Sequence, residues 1–146
     1  MQTLDAAVAL GEIDRDLIRP RIQMLLETCG RCDIDAMTPF FAPDVAYAGG
    51  TWRDPIFSRP REGRDACIDM IRAFHVAYET LGSIIRHVVI DGEKVAVCRT
   101  TQLKNRGTGR IADVEIWDYI KFRHGLVVEF SEFPDTLAIA VLEAHD

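Results

Sequence analysis

The stretch from residue 111 to residue 135, IADVEIWDYIKFRHGLVVEFSEFPD, determines the predicted fold. It contains two runs rich in β-branched and aromatic residues, Ile111–Phe122 and Leu126–Phe133, separated by the turn pair His124-Gly125. Runs of this kind joined by a glycine turn are typical of an antiparallel hairpin. Two similar runs and their turns lie upstream, at Ile84–Ile90, 91–92, Val95–Leu103 and 105–109. Three consecutive hairpins predict a four-stranded antiparallel meander.

Along the third strand of this meander, side chains alternate between two faces. One face is apolar except for a single carboxylate, and its members are Val114, Ile116, Asp118, Ile120 and Phe122. An ionised carboxylate without a partner is costly in apolar surroundings, so Asp118 must be protonated or paired. It is therefore the main candidate for chemistry in a pocket. The alternative is that Asp118 only fixes strand geometry through a buried arginine or a backbone donor.

The other strands carry similar isolated polar residues. His87 interrupts the apolar alternation of the first strand, and Arg99 interrupts that of the second. On the fourth strand either Glu129 or Glu132 faces the pocket, because a two-residue and a three-residue turn differ by one position in register. Arg99 could hold an acid in a bidentate pair or bind an anionic substrate group. His87 could act as a base near neutral pH or be a hydrogen-bonded core residue.

The first half of the chain predicts helices and one strand. The helices are expected at residues 16–29, 34–41 and 64–80, and the strand at residues 44–48. The connecting loop 49–63 is rich in Gly and Pro yet contains Trp52, Ile56 and Phe57, which indicates that it folds over a pocket. After the meander, Asp135 is predicted to cap a last helix from Thr136 to about residue 144.

Length and composition indicate a single soluble domain, residues 1–146, with residues 1–15 as a loosely ordered N-terminal segment. The net charge of −6 and the lack of a basic stripe disfavour nucleic acid as a partner. No apolar run reaches about 18 residues, and residues 1–12 lack Lys and Arg, so we expect a cytoplasmic protein without membrane association. The motif Cys29-Gly30-Arg31-Cys32 lacks the second ligand pair of a zinc site, and no metal is expected.

The order of helix, short helix, aromatic-bearing loop, long helix and meander resembles the nuclear-transport-factor-2-like superfamily. The segments that carry the resemblance are Cys32–Val45, Gly63–Ala66, Gly107–Gly125 and Glu129–Asp135. It implies a cystatin-like cone of three N-terminal helices packed on a curved antiparallel sheet. The sequence is most similar to SnoaL-like polyketide cyclases and ketosteroid isomerases, which place an acid at the position of Asp118. The isomerase resemblance also implies Asp54 as the general base, whereas the isomerase tyrosine falls at Leu25.

Two other reactions of the superfamily match this sequence in part. Limonene-epoxide-hydrolase-like enzymes use an Arg-x-Asp on one strand and an Asp on another. Arg99 and Glu132 fit that pattern, but Thr101 replaces the first Asp. Scytalone-dehydratase-like enzymes pair a strand histidine, matched by His87, with a first-helix Asp that positions 29 and 30 do not supply.

Together these observations predict a small-molecule enzyme, a cofactor-independent isomerase, cyclase or lyase that uses Asp118 for acid/base chemistry next to a carbonyl. Asp54 or His87 would move a second proton, and Arg99 would orient the substrate. The expected substrate-binding residues are Tyr47, Trp52, Ile56, Phe57 and Glu132. The alternative is a non-catalytic module that binds a small apolar or carbonyl-bearing molecule. In either case Trp117 and Tyr119, on the outer sheet face, suggest a homodimer.

Overall fold

The computed structural model describes residues 15–146, so the loose segment expected at residues 1–15 lies outside the described residues, apart from Arg15. In this part of the chain five α-helices pack on a curved, unclosed sheet of six strands, which confirms the predicted α+β fold. The helices are α1 (Arg15–Gly30), α2 (Ile34–Met37), α3 (Pro55–Ser58), α4 (Arg64–Ala77) and α5 (Thr136–Glu143). The strands are β1 (Phe41–Gly50), β2 (Arg61–Glu62), β3 (Tyr78–Asp91), β4 (Lys94–Asn105), β5 (Ile111–Arg123) and β6 (Leu126–Pro134).

The sheet has the order β2-β1-β6-β5-β4-β3. Strands β3 to β6 form the predicted antiparallel meander, in which each strand pairs with the next along the chain. Strand β1 adds to the free edge of β6 in parallel, and the two-residue β2 pairs with β1. The meander and β1 together place the middle of β6 between two neighbours, so residues there are held from both sides.

Two helix boundaries differ from the sequence prediction. Helix α4 ends at Ala77 instead of residue 80, because Tyr78 adopts an extended backbone and pairs with Asn105 of β4. An aromatic residue followed soon by Thr80 favours the strand once a partner strand is available. The predicted helix 34–41 is cut to one turn, Ile34–Met37, followed by a 3₁₀ turn over Thr38–Phe40 that contains a proline.

The hydrophobic core lies between the helices and one face of the sheet. From the helices come Ile18, Ile22, Leu25, Cys67 and Met70, and from the sheet Val97, Leu103, Val114, Ile116, Ile120 and Phe122. The apolar alternation read from β5 is therefore the buried face, as predicted. Helix α5 closes one side, and Asp135 caps it by accepting hydrogen bonds from Leu137 N and Ala138 N. None of the helices within residues 15–146 has both the length and the apolar composition needed to cross a bilayer.

Candidate active site

A cavity of about 100 Å³ lies between the concave face of the sheet and the helices α1 and α4. Its wall is mainly apolar and aromatic, with contributions from Phe41, Trp52, Phe57, Phe74 and Phe130. Only three charged residues are found among the lining residues that the structure describes, namely Arg99, Asp118 and Glu132. A largely apolar cavity with a few converging polar groups is the usual form of a small-molecule site.

Arg99 and Asp118 form a buried bidentate ion pair. Arg99 Nε donates to Asp118 Oδ2 at 2.6 Å and Arg99 Nη2 donates to Asp118 Oδ1 at 3.2 Å. The register explains the pairing: Asp118 lies opposite Val97, so Arg99, two residues further along β4, is its diagonal neighbour on the same face. Both side chains are almost fully enclosed, with 12% and 5% of their surfaces exposed. Asp118 is thus buried as predicted, clamped by an arginine, and still borders open space.

Glu132 completes the cluster from β6. It lies directly opposite Asp118 across the β5–β6 pairing, accepts a hydrogen bond from Arg99 Nη2 at 3.2 Å, and accepts another from Trp52 Nε1 at 3.3 Å. Burial, and then the negative charge of Asp118, raises the pKa of Glu132 to about 7, while Arg99 and Trp52 act in the opposite direction. Glu132 is therefore a carboxyl group that exchanges its proton near neutral pH.

The backbone around Glu132 requires a glycine on β1. Thr51 N donates to the carbonyl oxygen of Glu132 at 3.1 Å, and Gly50 pairs with Glu132 in the parallel β1–β6 ladder. A Cβ atom added at Gly50 would lie 1.9 Å from that carbonyl oxygen and 2.9 Å from the hydroxyl oxygen of Tyr47. Only glycine allows the two strands to approach this closely at the site.

Neutral polar side chains complete the cavity wall. Arg99 Nη1 donates to Thr101 Oγ1 at 3.2 Å, and that hydroxyl also hydrogen-bonds Ser83 Oγ at 2.8 Å. Burial raises the pKa of the Cys29 thiol to about 12, so the thiol stays protonated. His75 Nε2 donates to the Cys29 carbonyl oxygen at 2.7 Å, and burial lowers the pKa of His75. Alternation could not reveal Cys29 and His75, because they reach the cavity from helices.

A sequence model of the SnoaL-like domain matches residues 22–130. The chain belongs to the SnoaL-like domain family. The matched range contains the strands that carry Arg99 and Asp118, and it ends two residues before Glu132. No curated protein sequence matches this SnoaL-like chain.

Solved structures share the fold of this SnoaL-like domain. An NTF2-like protein from Burkholderia xenovorans LB400 is 20% identical, with a TM-score of 0.71, over 84% of this chain and 92% of the other. IdmH from Streptomyces antibioticus, a candidate polyketide cyclase, is 19% identical, with a TM-score of 0.66, over 83% and 94%. An LEH-like epoxide hydrolase of M. tuberculosis is 13% identical, with a TM-score of 0.64, over 82% and 84%. These likenesses establish the fold and leave the reaction open.

The SnoaL-like chain places His87 outside the cavity. Ile85 pairs with Arg99, but His87 pairs with Cys98, so one extra residue, Arg86, forms a bulge in β3. Beyond a bulge the alternation is inverted, and His87 turns to the outer face. There its ring stacks on that of Trp117 with 6.3 Å between the ring centroids. The prediction that His87 shares a face with Asp118 is therefore wrong.

Three other predicted residues also lie away from the cavity lining of the SnoaL-like domain. Asp54 caps α3, and its carboxylate accepts a hydrogen bond from Ile56 N at 2.9 Å, so it has the role of a turn residue. Ile56 is largely exposed to solvent. Tyr47 is fully buried and its hydroxyl donates to the Phe57 carbonyl oxygen at 2.7 Å, which positions Phe57 in the wall. Trp52, Phe57 and Glu132 do line the cavity, as predicted.

The structure also decides two alternatives of the sequence analysis. Glu132 faces the cavity, and Glu129 pairs with Lys121 on the outer side of β5. Arg99 makes four hydrogen bonds within the protein, to Asp118, Glu132 and Thr101, so it is the bidentate partner of an acid.

Proposed function

We propose that this SnoaL-like chain is a cofactor-independent enzyme that moves a proton at a carbon atom next to a carbonyl, as an isomerase, cyclase or lyase. The observation that carries the proposal is the raised pKa of Glu132 in an apolar cavity. With a pKa of about 7, this carboxyl group is about half protonated at neutral pH. A proton carrier works best when its pKa lies near the operating pH. Perturbed carboxyl groups in clefts are concentrated at catalytic sites.

In the proposed first step, the ionised carboxylate of Glu132 takes a proton from the carbon next to the substrate carbonyl. The C–H bond breaks, its electron pair moves into the carbon–carbon bond, and the carbonyl π electrons move onto oxygen to form an enolate. The Arg99 guanidinium, held in place by Asp118, provides the positive charge that stabilises this oxygen. Glu132 then returns the proton to another carbon in an isomerase, or the enolate forms a bond or expels a group in a cyclase or lyase.

This proposal exchanges the roles expected from the sequence. Asp118 is engaged by two hydrogen bonds from Arg99, whereas Glu132 receives one from Arg99 and a longer one from Trp52. The more loosely held carboxyl is the better proton carrier. Asp118 then acts as a positioning residue, which keeps the guanidinium aimed at the cavity and raises the proton affinity of Glu132 by its charge.

Deuterium exchange tests the reaction with 2-butanone as the probe. We expect the wild-type chain to accelerate exchange of the α-protons with D₂O, with a rate that rises with pH through about 7 as Glu132 ionises. Glu132→Gln should lower this rate by about 10²–10⁴-fold. Glu129→Gln, an identical change on the outer side of the sheet, is the control and should keep the rate. Equal rates for wild type and Glu132→Gln would refute the proposal, and loss only in Asp118→Asn would return the proton-transfer role to Asp118.

Epoxide hydrolysis is the second candidate, because one guanidinium here joins two carboxyl groups. Asp118 on the adjacent strand, which is paired with the same arginine, would supply the carboxylate that is missing at Thr101. In this reaction protonated Glu132 would give its proton to the epoxide oxygen as the C–O bond breaks, while water attacks the carbon and Asp118 accepts the water proton. Conversion of 1,2-epoxybutane to its diol should then decrease as pH rises above about 7, opposite to the trend expected for enolisation.

A non-catalytic module is the remaining alternative, and it would bind 2-butanone without exchange. We further propose a homodimer through the outer sheet face, supported by three exposed apolar residues of the sheet, Val89 and the paired Trp117 and Phe133. Sedimentation velocity should show a dimer that Trp117→Glu converts to a monomer, and a monomeric wild type would refute the proposed dimer.

A cytoplasmic location stays a prediction, which fractionation of cells expressing the tagged full chain would test.

A further inference from the structure

A second cavity lies beside the proposed active site, outside the cluster of charged residues. It is a groove of about 230 Å³ between the last turns of α1 and the first half of β3. Leu26, Gly30 and Thr80 line both this groove and the inner cavity. These three residues therefore form the boundary between the two spaces.

The inner cavity alone is small for a substrate. At about 100 Å³ it is smaller than a cavity of about 150 Å³ that holds one benzene ring. Sites for small molecules usually measure about 300–1,000 Å³. The groove more than triples the available space, so the two together reach the lower end of that range.

The two spaces differ in chemistry. In the inner cavity the guanidinium of Arg99 is paired with Asp118 and Glu132, and the rest of the wall is largely apolar. The wall of the groove is also mainly apolar, and its two charged residues in the described part of the chain are Glu27, which accepts a hydrogen bond from Gln23 at 2.8 Å, and Arg31. Arg31, at the end of α1, is exposed and forms no ion pair with the residues that the structure describes. An anionic group would thus find in the groove a guanidinium that forms no ion pair with the described residues, whereas that of Arg99 is already paired with acids.

We propose that the groove is a second subsite, which holds the anionic end of an elongated amphipathic substrate whose carbonyl end lies in the inner cavity. The choice of a carbonyl at the inner end rests on the proposed function. The chain of the substrate passes between Leu26, Gly30 and Thr80, and its anionic end, a carboxylate or a group of similar charge, lies at Arg31. This defines the substrate class as a long oxo acid, with the reacting carbonyl remote from the acid group.

Gly30 keeps the passage open. A Cβ atom at Gly30 would lie 3.5 Å from Thr80 Cγ2, which is ordinary van der Waals contact. Alanine therefore fits without a clash while it closes the gap between these two residues. The same change favours the helix, since alanine stabilises helical residues relative to glycine.

Binding experiments test the subsite without requiring turnover. Trp52 lines the inner cavity, and in a Trp117→Phe background it is the sole tryptophan and reports occupancy by its fluorescence. The probes are 2-butanone, 2-octanone and 7-oxooctanoate, of which the last two have equal length and differ at the outer end. We expect both long probes to bind more tightly than 2-butanone. Arg31→Gln should weaken the binding of 7-oxooctanoate by about fivefold and leave the binding of 2-octanone unchanged. Arg59→Gln, a change at an exposed arginine elsewhere, should alter the binding of neither probe.

Gly30→Ala should weaken both long probes and spare 2-butanone. Each buried methylene contributes about fourfold in affinity, so excluding two of them costs about fifteenfold. Unchanged 2-butanone binding shows at the same time that the variant is folded. The subsite would be overturned, and the proposed reaction left intact, if the long probes bind no more tightly than 2-butanone or bind Gly30→Ala as tightly as wild type. If no ketone perturbs Trp52, the inner cavity does not take carbonyl compounds, and both proposals fail.

Discussion

Replacing Glu132 with glutamine should change how the stability of the fold depends on pH. In the folded protein the pKa of Glu132 is raised from an ordinary value near 4.5 to about 7, first by burial and then by the charge of Asp118. The folded state therefore holds this proton more tightly than the unfolded chain. Between about pH 4.5 and pH 7 unfolding releases the proton, and stability must fall as pH rises through this window.

The size of the effect follows from the two proton affinities. Each tenfold difference in affinity corresponds to about 1.4 kcal/mol, so the shift to about 7 amounts to about 3 kcal/mol. About a quarter of the side chain, 23%, remains exposed to solvent, which makes this the upper end of the expected range. The contribution is complete below pH 4.5, where Glu132 is protonated in both states, and is lost above pH 7. Glutamine, which does not titrate, removes this dependence.

Urea denaturation of wild type and Glu132→Gln from pH 4 to pH 8.5 measures the effect. The free energy of unfolding of the variant minus that of wild type should increase by up to about 3 kcal/mol over this range. Glutamine also leaves one of the donors from Arg99 and Trp52 without an acceptor, but that cost is independent of pH and only shifts the difference curve. Glu129→Gln should give a flat curve. A flat curve for Glu132→Gln, or one that falls with pH, would show that Glu132 does not hold its proton more tightly in the folded state.

Two further predictions concern the frame around the site. Gly50→Ala should lower the free energy of unfolding by at least about 2 kcal/mol and abolish the proposed deuterium exchange, because its Cβ would meet the carbonyl oxygen of Glu132 at 1.9 Å. In urea denaturation, Gly82→Ala, whose Cβ meets nothing within 4 Å, should be neutral. Asp135→Ala should cost about 1 kcal/mol in the same measurement through loss of the α5 cap and leave deuterium exchange unchanged, whereas Asp135→Asn should restore the stability. Retained stability in Gly50→Ala or no loss in Asp135→Ala would contradict these contacts.

The sheet could be predicted well because its signals are local. Alternation along β5 is long enough that a single carboxylate stands out, and the structure buries Asp118 on the predicted face. The turn residues between the runs gave the order of the hairpins correctly. Only residues 44–48 of strand β1 were predicted. The two ends of this strand pair in parallel with β6, and that contact is remote in sequence.

The features of the site that sequence reasoning missed depend on contacts that leave no local signal in the sequence. A bulge in β3 inserts a residue at Arg86 and sends His87 to the other face, yet the sequence on either side still alternates normally. The register of β6 is equally invisible, so Glu129 and Glu132 could not be separated in advance. Cys29 and His75 reach the cavity from helices whose placement depends on tertiary packing.

Charge balance supports Glu132, and not the more conspicuous Asp118, as the proposed proton carrier. One guanidinium compensates one negative charge, and the two hydrogen bonds of the bidentate pair assign that charge to Asp118. Glu132 is then a second carboxylate in the same apolar cavity with a single hydrogen bond from Arg99. Its ionised form adds a second negative charge to a cluster with one cation, and its protonated form makes the cluster neutral. An Arg99→Met change would remove that balance and leave two buried acids competing for protons, so we expect the cluster to fold only with at least one of them protonated.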